Sequence, residues 1–126
     1  MSGQEPDERR SEPQSRQGTD CCSASHSHSL TEQEVATDVE MLATLGNDTR
    51  YEALRLIAES DDDVCVCELE PALGVSQGAV SQALSRLFSA GLVERRKEGR
   101  WRYYTATPAA ERLLRVLDDR RSRDDD

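Results

Sequence analysis

The chain has almost no lysine. Of its 16 basic residues only Lys97 is not an arginine, and they face 25 carboxylates for a formal net charge of −9. Such a balance excludes a general affinity for nucleic acid through overall charge. Lysine depletion with carboxylate excess fits a halophile, in whose salty cytoplasm acidity adapts the surface to solvent; an acidic domain that avoids DNA is the alternative. No apolar run approaches the roughly 20 residues of a membrane span, and no signal peptide is present. A soluble cytoplasmic protein with no membrane partner is expected. No histidine follows His28, which leaves thiols and carboxylates as metal ligands over the rest of the chain. No nucleophile–base pair stands out, so an enzyme is not expected.

The 126 residues allow one domain. Residues 1–29 are polar and aperiodic and read as a disordered tail. Its one odd feature is CCSASHSH, with Cys21, Cys22, His26 and His28. Thr31 and Glu34 form a T-x-x-E capping box, followed by a stripe of Val35, Val39 and Leu42 that ends at Gly46. A second helix follows Asn47, with Tyr51, Leu54 and Ile57 inward. After an acidic loop, Glu68–Leu73 reads as a short helix and Gly74-Val75 as a turn; Pro71 predicts that this helix is short or starts late. Thr107-Pro108 opens a last amphipathic helix carrying Ala110, Leu113, Leu114 and Leu117. Residues 30–118 form the expected folded domain, and 119–126 a charged tail.

The stretch Ser76–Gly91 organises the chain. Ser76 suits an N-cap, and Val80, Ala83, Leu84 and Leu87 make one apolar stripe. The opposite face carries Gln77, Gly78, Ser81, Gln82 and Ser85, with Arg86 at its edge. These hydroxyls and amides can hydrogen-bond base edges, and no carboxylate stands among them to repel phosphate. Beyond Gly91 the runs LVERRK and RWRYYT flank an X-Gly loop at Glu98-Gly99 and read as a β-hairpin. Between Ser76 and Thr105 the basic residues Arg86, Arg95, Arg96, Lys97, Arg100 and Arg102 outnumber Glu94 and Glu98; six minus two gives a local charge of +4. A polar-faced helix followed by a basic hairpin predicts a winged helix-turn-helix, mainly α with a small hairpin in an α+β order ααααββα. The helix reads the major groove of double-stranded operator DNA and the wing grips phosphate.

SQGAVSQALSRLFSAGLVERRKEGRWRYYT strongly resembles the ArsR/SmtB winged-helix repressors, over a region running from about Thr31 to Asp118. That resemblance implies a homodimer in which the first and last helices pack across the two-fold axis. It also bears on Cys65-Val66-Cys67. Residues two apart on a regular helix point about 200° away from each other, so both sulfurs face one ion only if the segment is extended or the helix start is distorted. The stretch DVCVCELEPAL resembles the metalloid motif of the arsenic repressors and the E-L-C-V-C-D of the cadmium/lead branch. Glu70 stands where the arsenic pattern has a third cysteine. In the cadmium/lead branch extra thiols come from the N-terminal segment, the role Cys21 and Cys22 fit. Nine residues separate Cys22 from Thr31, reaching up to about 30 Å if extended.

The function this implies is a metal(loid)-responsive transcriptional repressor, released from its operator when an ion binds Cys65 and Cys67, completed by Cys21 or Cys22. Arsenite or antimonite is the first expectation, Cd²⁺, Pb²⁺ or Zn²⁺ the second, with no organic cofactor. Ser76, Gln77, Gly78, Ser81, Gln82 and Ser85 would face bases; Arg86, Arg95, Arg96, Lys97, Arg100 and Arg102 would hold phosphate. Two alternatives stay open: a thiol redox-responsive regulator of the same fold, and a cytosolic metal-buffering protein.

Overall fold

Local sequence sets each helix boundary in the computed structural model, which describes residues 26–124. A compact unit begins at Thr31; of the separate segment before it, residues 26–30 are described. There His26 and His28 are exposed, and the Leu30 amide donates to His28 Nδ1 at 3.1 Å. Cys21 and Cys22 lie outside the described residues.

Helix α1 spans Glu32–Leu45 behind the expected capping box: the Glu34 amide donates to Thr31 Oγ1, and the Thr31 amide to Glu34 Oε1. Helix α2, Asp48–Ala58, is capped by Asn47. A two-residue strand β1, Val64–Cys65, runs straight into helix α3, Val66–Leu73. Gly74 stops α3 at a φ of 69°, a left-handed position that costs a glycine little. Ser76 then caps α4, Gln77–Ser89, by accepting from the Ala79 amide at 3.1 Å. The hairpin is β2, Val93–Glu98, and β3, Trp101–Ala106, and helix α5 covers Pro108–Asp124. Among the described residues no helix is long and apolar enough to cross a membrane.

The end of α4 is fixed by a Schellman motif. The Leu92 amide reaches back to the Leu87 carbonyl and the Gly91 amide to that of Phe88, with Gly91 at a φ of 77°. The turn is tied to the start of α5, where Thr107 Oγ1 donates to the Gly91 carbonyl at 2.9 Å and accepts from the Ala110 amide. Recognition helix, wing and last helix therefore share one anchor point.

Three details differ from the sequence reading. Helix α3 begins at Val66, earlier than Glu68, because Cys65 rather than a later residue serves as its N-cap. The helix is nonetheless short, as Pro71 predicts: it has eight residues, and the missing Pro71 amide forgoes the bond to the Cys67 carbonyl. The hairpin loop is Gly99-Arg100 rather than Glu98-Gly99, since Glu98 and Trp101 still pair and Gly99 takes the positive φ, 64°. Helix α5 continues through the charged residues to Asp124, with Asp118 pairing to Arg121 and Arg120 to Asp124.

The core sits between α2, α4 and the sheet: Leu54 and Ile57, Val80, Leu84 and Leu87, then Leu92, Val93 and Tyr104, with Ala110 and Leu114 from α5. Burying a side chain of this size stabilises by about 1.5–3 kcal/mol before chain entropy is counted. Helix α1 contributes little to this core; Thr44 is its one buried residue, while Val39 and Leu42 are 56% and 63% exposed. Val116 on α5 is likewise 63% exposed.

Candidate nucleic-acid interface and thiol site

The three-stranded sheet has the order β1-β3-β2. Its edge strand carries the first of the two cysteines: Val64 pairs with Tyr104 and Cys65 with Tyr103. The chain leaves this strand at Cys65, whose φ of −80° and ψ of 144° are extended, and enters α3 at the next residue. A regular helix would send the two side chains apart. At this junction they converge instead, with the sulfurs 2.7 Å apart and the Cys67 thiol donating to Cys65 Sγ. Cys65 Sγ also accepts from the Cys67 amide at 3.4 Å, and the Cys65 amide donates to Glu68 Oε1 at 2.9 Å, so a thiol fills the place of a capping hydroxyl.

Cys65 is buried and Cys67 exposed. The hydrogen bond to Cys65 pushes the Cys67 thiol above its ordinary pKa, with desolvation and the negative potential of Cys65 and Glu68 adding to the effect. Two convergent thiols suit a thiophilic ion or metalloid. Among the described residues no group of three or more Cys, His, Asp or Glu side chains is placed to hold a metal. Glu70 is exposed on α3, and the pair offers two thiolates of the three a trivalent metalloid needs.

Helix α4 exposes every residue expected to face bases: Ser76, Gln77, Gly78, Ser81, Gln82 and Ser85, with Arg86 beside them. Val80, Ala83, Leu84 and Leu87 hold the other face in the core. In the wing, cross-strand pairing puts Arg95 opposite Tyr104 and Lys97 opposite Arg102, on the sheet face that also carries Val93. Arg100 lies in the loop. Arg95 stacks over the Phe88 ring at 4.0 Å, joining the wing to the end of α4.

Arg96 differs from its neighbours. It is on the opposite sheet face, over the Tyr103 ring at 4.8 Å, and donates twice to Asp63 Oδ2 at 3.0 and 2.7 Å. Glu98 is a further partner at 3.1 Å. The Asp63 hydrogen bond, then that of Glu98, raises the guanidinium's pKa. Asp63 lies two residues before Cys65, so this pair bridges the thiol segment to the wing.

Sequence reasoning missed Asp63 as the partner of a wing arginine, because 33 residues separate the two. It also missed Asn47, Thr49 and Arg50, which line a hollow of about 400 Å³ with Gln82, Ser85 and Arg86. The signal for Arg50 was faint: its Nε donates to the Thr44 carbonyl at 2.7 Å, a bond between α1 and α2 that no local pattern announces.

Residues 47–95 match the family model described as "Bacterial regulatory protein, arsR family". The chain is 66% identical over 87 residues to the "Putative arsenical resistance operon repressor ArsR2" of Halobacterium salinarum, a match covering 69% of this chain and 73% of that one. Among solved structures, HlyU from Vibrio cholerae superposes with a TM-score of 0.60 at 32% identity, covering 69% of this chain and 94% of HlyU. The homodimeric winged helix-turn-helix DNA-binding domain of Mb0332 from Mycobacterium bovis gives 0.60 at 28% identity, over 71% of this chain and 88% of that one. Regulators of this kind bind DNA and are not enzymes. The chain belongs to the ArsR family of winged helix-turn-helix transcriptional regulators.

Proposed function

We propose that the protein is a homodimeric transcriptional repressor of the cytoplasm that leaves its operator when a thiophilic ion binds Cys65 and Cys67. One observation carries the reading: both sulfurs converge at a strand-to-helix junction that is hydrogen-bonded into the wing sheet and stands directly ahead of the recognition helix. An ion gripped there selects one backbone arrangement of that junction, and the DNA-reading elements on either side respond. Arsenite or antimonite is the preferred inducer, in keeping with the name of the Halobacterium salinarum relative; Cd²⁺, Pb²⁺ or Zn²⁺ comes second. Cys21 or Cys22 supplies the third thiolate.

On the DNA, Ser76, Gln77, Ser81, Gln82 and Ser85 meet base edges, with Gly78 allowing close approach of the α4 backbone. Arg86, Arg95, Lys97, Arg100 and Arg102 hold phosphate, and Arg96 joins them when Asp63 releases it. The exposed Val39, Leu42 and Val116 give α1 and α5 apolar faces suited to a two-fold interface, and the similar Mycobacterium bovis domain is homodimeric. A working cytoplasm of high salt accounts for the acidic, lysine-poor composition.

The convergence of two free thiols also favours a second reading, a thiol pair that responds to oxidant. Titrating the operator complex with arsenite and with Cd²⁺ under constant reductant separates the two. Release under these conditions supports the ion-sensing repressor; release by peroxide alone supports the redox reading. A protein that binds no specific duplex at all belongs with the metal-buffering alternative.

A further inference from the structure

We infer that the operator and the occupant of the thiol pair share one cavity, so that release of DNA has a steric component. The inference rests on the repressor reading above and deepens it. A cavity of about 920 Å³ lies between α3, α4 and the hairpin. One wall is basic, with Arg95, Lys97 and Arg102, which the strand register places on a common sheet face. A second wall is the outward side of α4, the base-reading side. The third is the start of α3, and both Cys65 and Cys67 line it.

The walls identify the occupant. Three cations on one sheet face, against hydroxyls and amides on a helix, suit the edge of a duplex, with phosphate on the wing and bases on α4. A polar space of this size is wet when empty, holding on the order of 30 waters at about 30 Å³ each. DNA that enters displaces this water and covers Cys67, which is exposed in the free protein. A metalloid or cation bonded to the same sulfur, with its remaining ligands directed outward, stands where the duplex must approach. Backbone change at the β1–α3 junction and occlusion of the cavity then act in the same direction.

The chain provides its own test, because Lys97 is its only lysine and lies on the wall opposite Cys67. Reduced full-length protein is treated with N-ethylmaleimide and, separately, with an acetylating reagent, and rates at Cys67 and Lys97 are read by peptide mass spectrometry. This is done free, with the duplex that the protein selects from a random-sequence pool, and with an unrelated duplex at the same salt. The expected result is at least tenfold slowing at both residues with the selected duplex and less than threefold with the unrelated one. Protection of Lys97 with Cys67 reacting at its free rate overturns the shared cavity and leaves the repressor reading standing. Protection of Cys67 alone also overturns it, since the wing is then not a wall of the DNA site. Protection of neither residue overturns the shared cavity and places the duplex elsewhere on the protein, whereas a protein that selects no duplex overturns the repressor reading as well.

Discussion

The sulfurs of Cys65 and Cys67 lie 2.7 Å apart because Cys65 ends a strand and Cys67 lies in the first turn of the helix that follows. That junction fixes how the site titrates. Arsenous acid condenses with three thiols as As(OH)₃ + 3 RSH → As(SR)₃ + 3 H₂O, which releases no proton. A divalent cation must displace thiol protons instead. Cys67 is held above its ordinary pKa, so its proton persists to higher pH than that of a free thiol. Arsenite affinity is therefore expected to stay flat across neutral pH. Cd²⁺ affinity is expected to rise by about tenfold per pH unit for each proton displaced, until Cys67 ionises. Calorimetric titrations in buffers of different ionisation enthalpy count the protons; a proton released per arsenite bound would contradict this chemistry.

Asp63 pairs with Arg96, and the pair is expected to hold the guanidinium away from DNA. Asp63→Asn is expected to free the guanidinium, tighten operator binding and steepen the salt dependence by about one unit of slope. Fold stability should change little, since the side chains are 50% and 34% exposed and the pair is screened by solvent. Weaker binding at unchanged slope, read by fluorescence anisotropy across a salt series, would show that the pair only braces the wing.

The exposed faces of α1 and α5 are expected to close a dimer. Leu42→Glu places a charge on the apolar face of α1 and should convert the species at twice the chain's 14.1 kDa to a monomer with at least tenfold weaker operator binding. Light scattering after size exclusion checks the mass. A variant that stays dimeric would move the interface elsewhere.

Much of this was legible in the sequence where the signal was local. The Thr31 capping box, the α4 stripe from Val80 to Leu87 and the Gly91 stop each depend on residues a turn or two apart. The thiol geometry was half legible: periodicity showed that a regular helix could not bring Cys65 and Cys67 together, and left an extended or a distorted start open. The choice between them came from Tyr103, whose pairing with Cys65 holds the extended conformation from 38 residues away. The Asp63–Arg96 bridge was hidden for the same reason, and it takes one of six basic residues out of the expected phosphate contacts.

That commitment bears on salt. With Arg96 engaged and Arg95 stacked on Phe88, the log–log salt slope should fall below the value for six contacts per subunit. Specific binding is expected to persist in molar KCl, carried by base contacts and buried apolar area. Loss of specific binding above a few hundred millimolar KCl would overturn the high-salt reading of the composition.

The N-terminal thiols should matter to ligand and not to DNA. Deleting residues 1–29 is expected to weaken arsenite affinity and spare operator binding; unchanged affinity would assign the third position to Glu70 or to solvent.

The most direct measurement is arsenite titration of the operator complex, in reductant, for the wild-type protein and for Cys65→Ser and Cys67→Ser. The account predicts that all three bind the operator within a few-fold of one another and that arsenite releases the wild type alone. Arsenite release of either serine variant, or a folded variant that no longer binds operator, would contradict the assignment of the thiol pair as the inducer site.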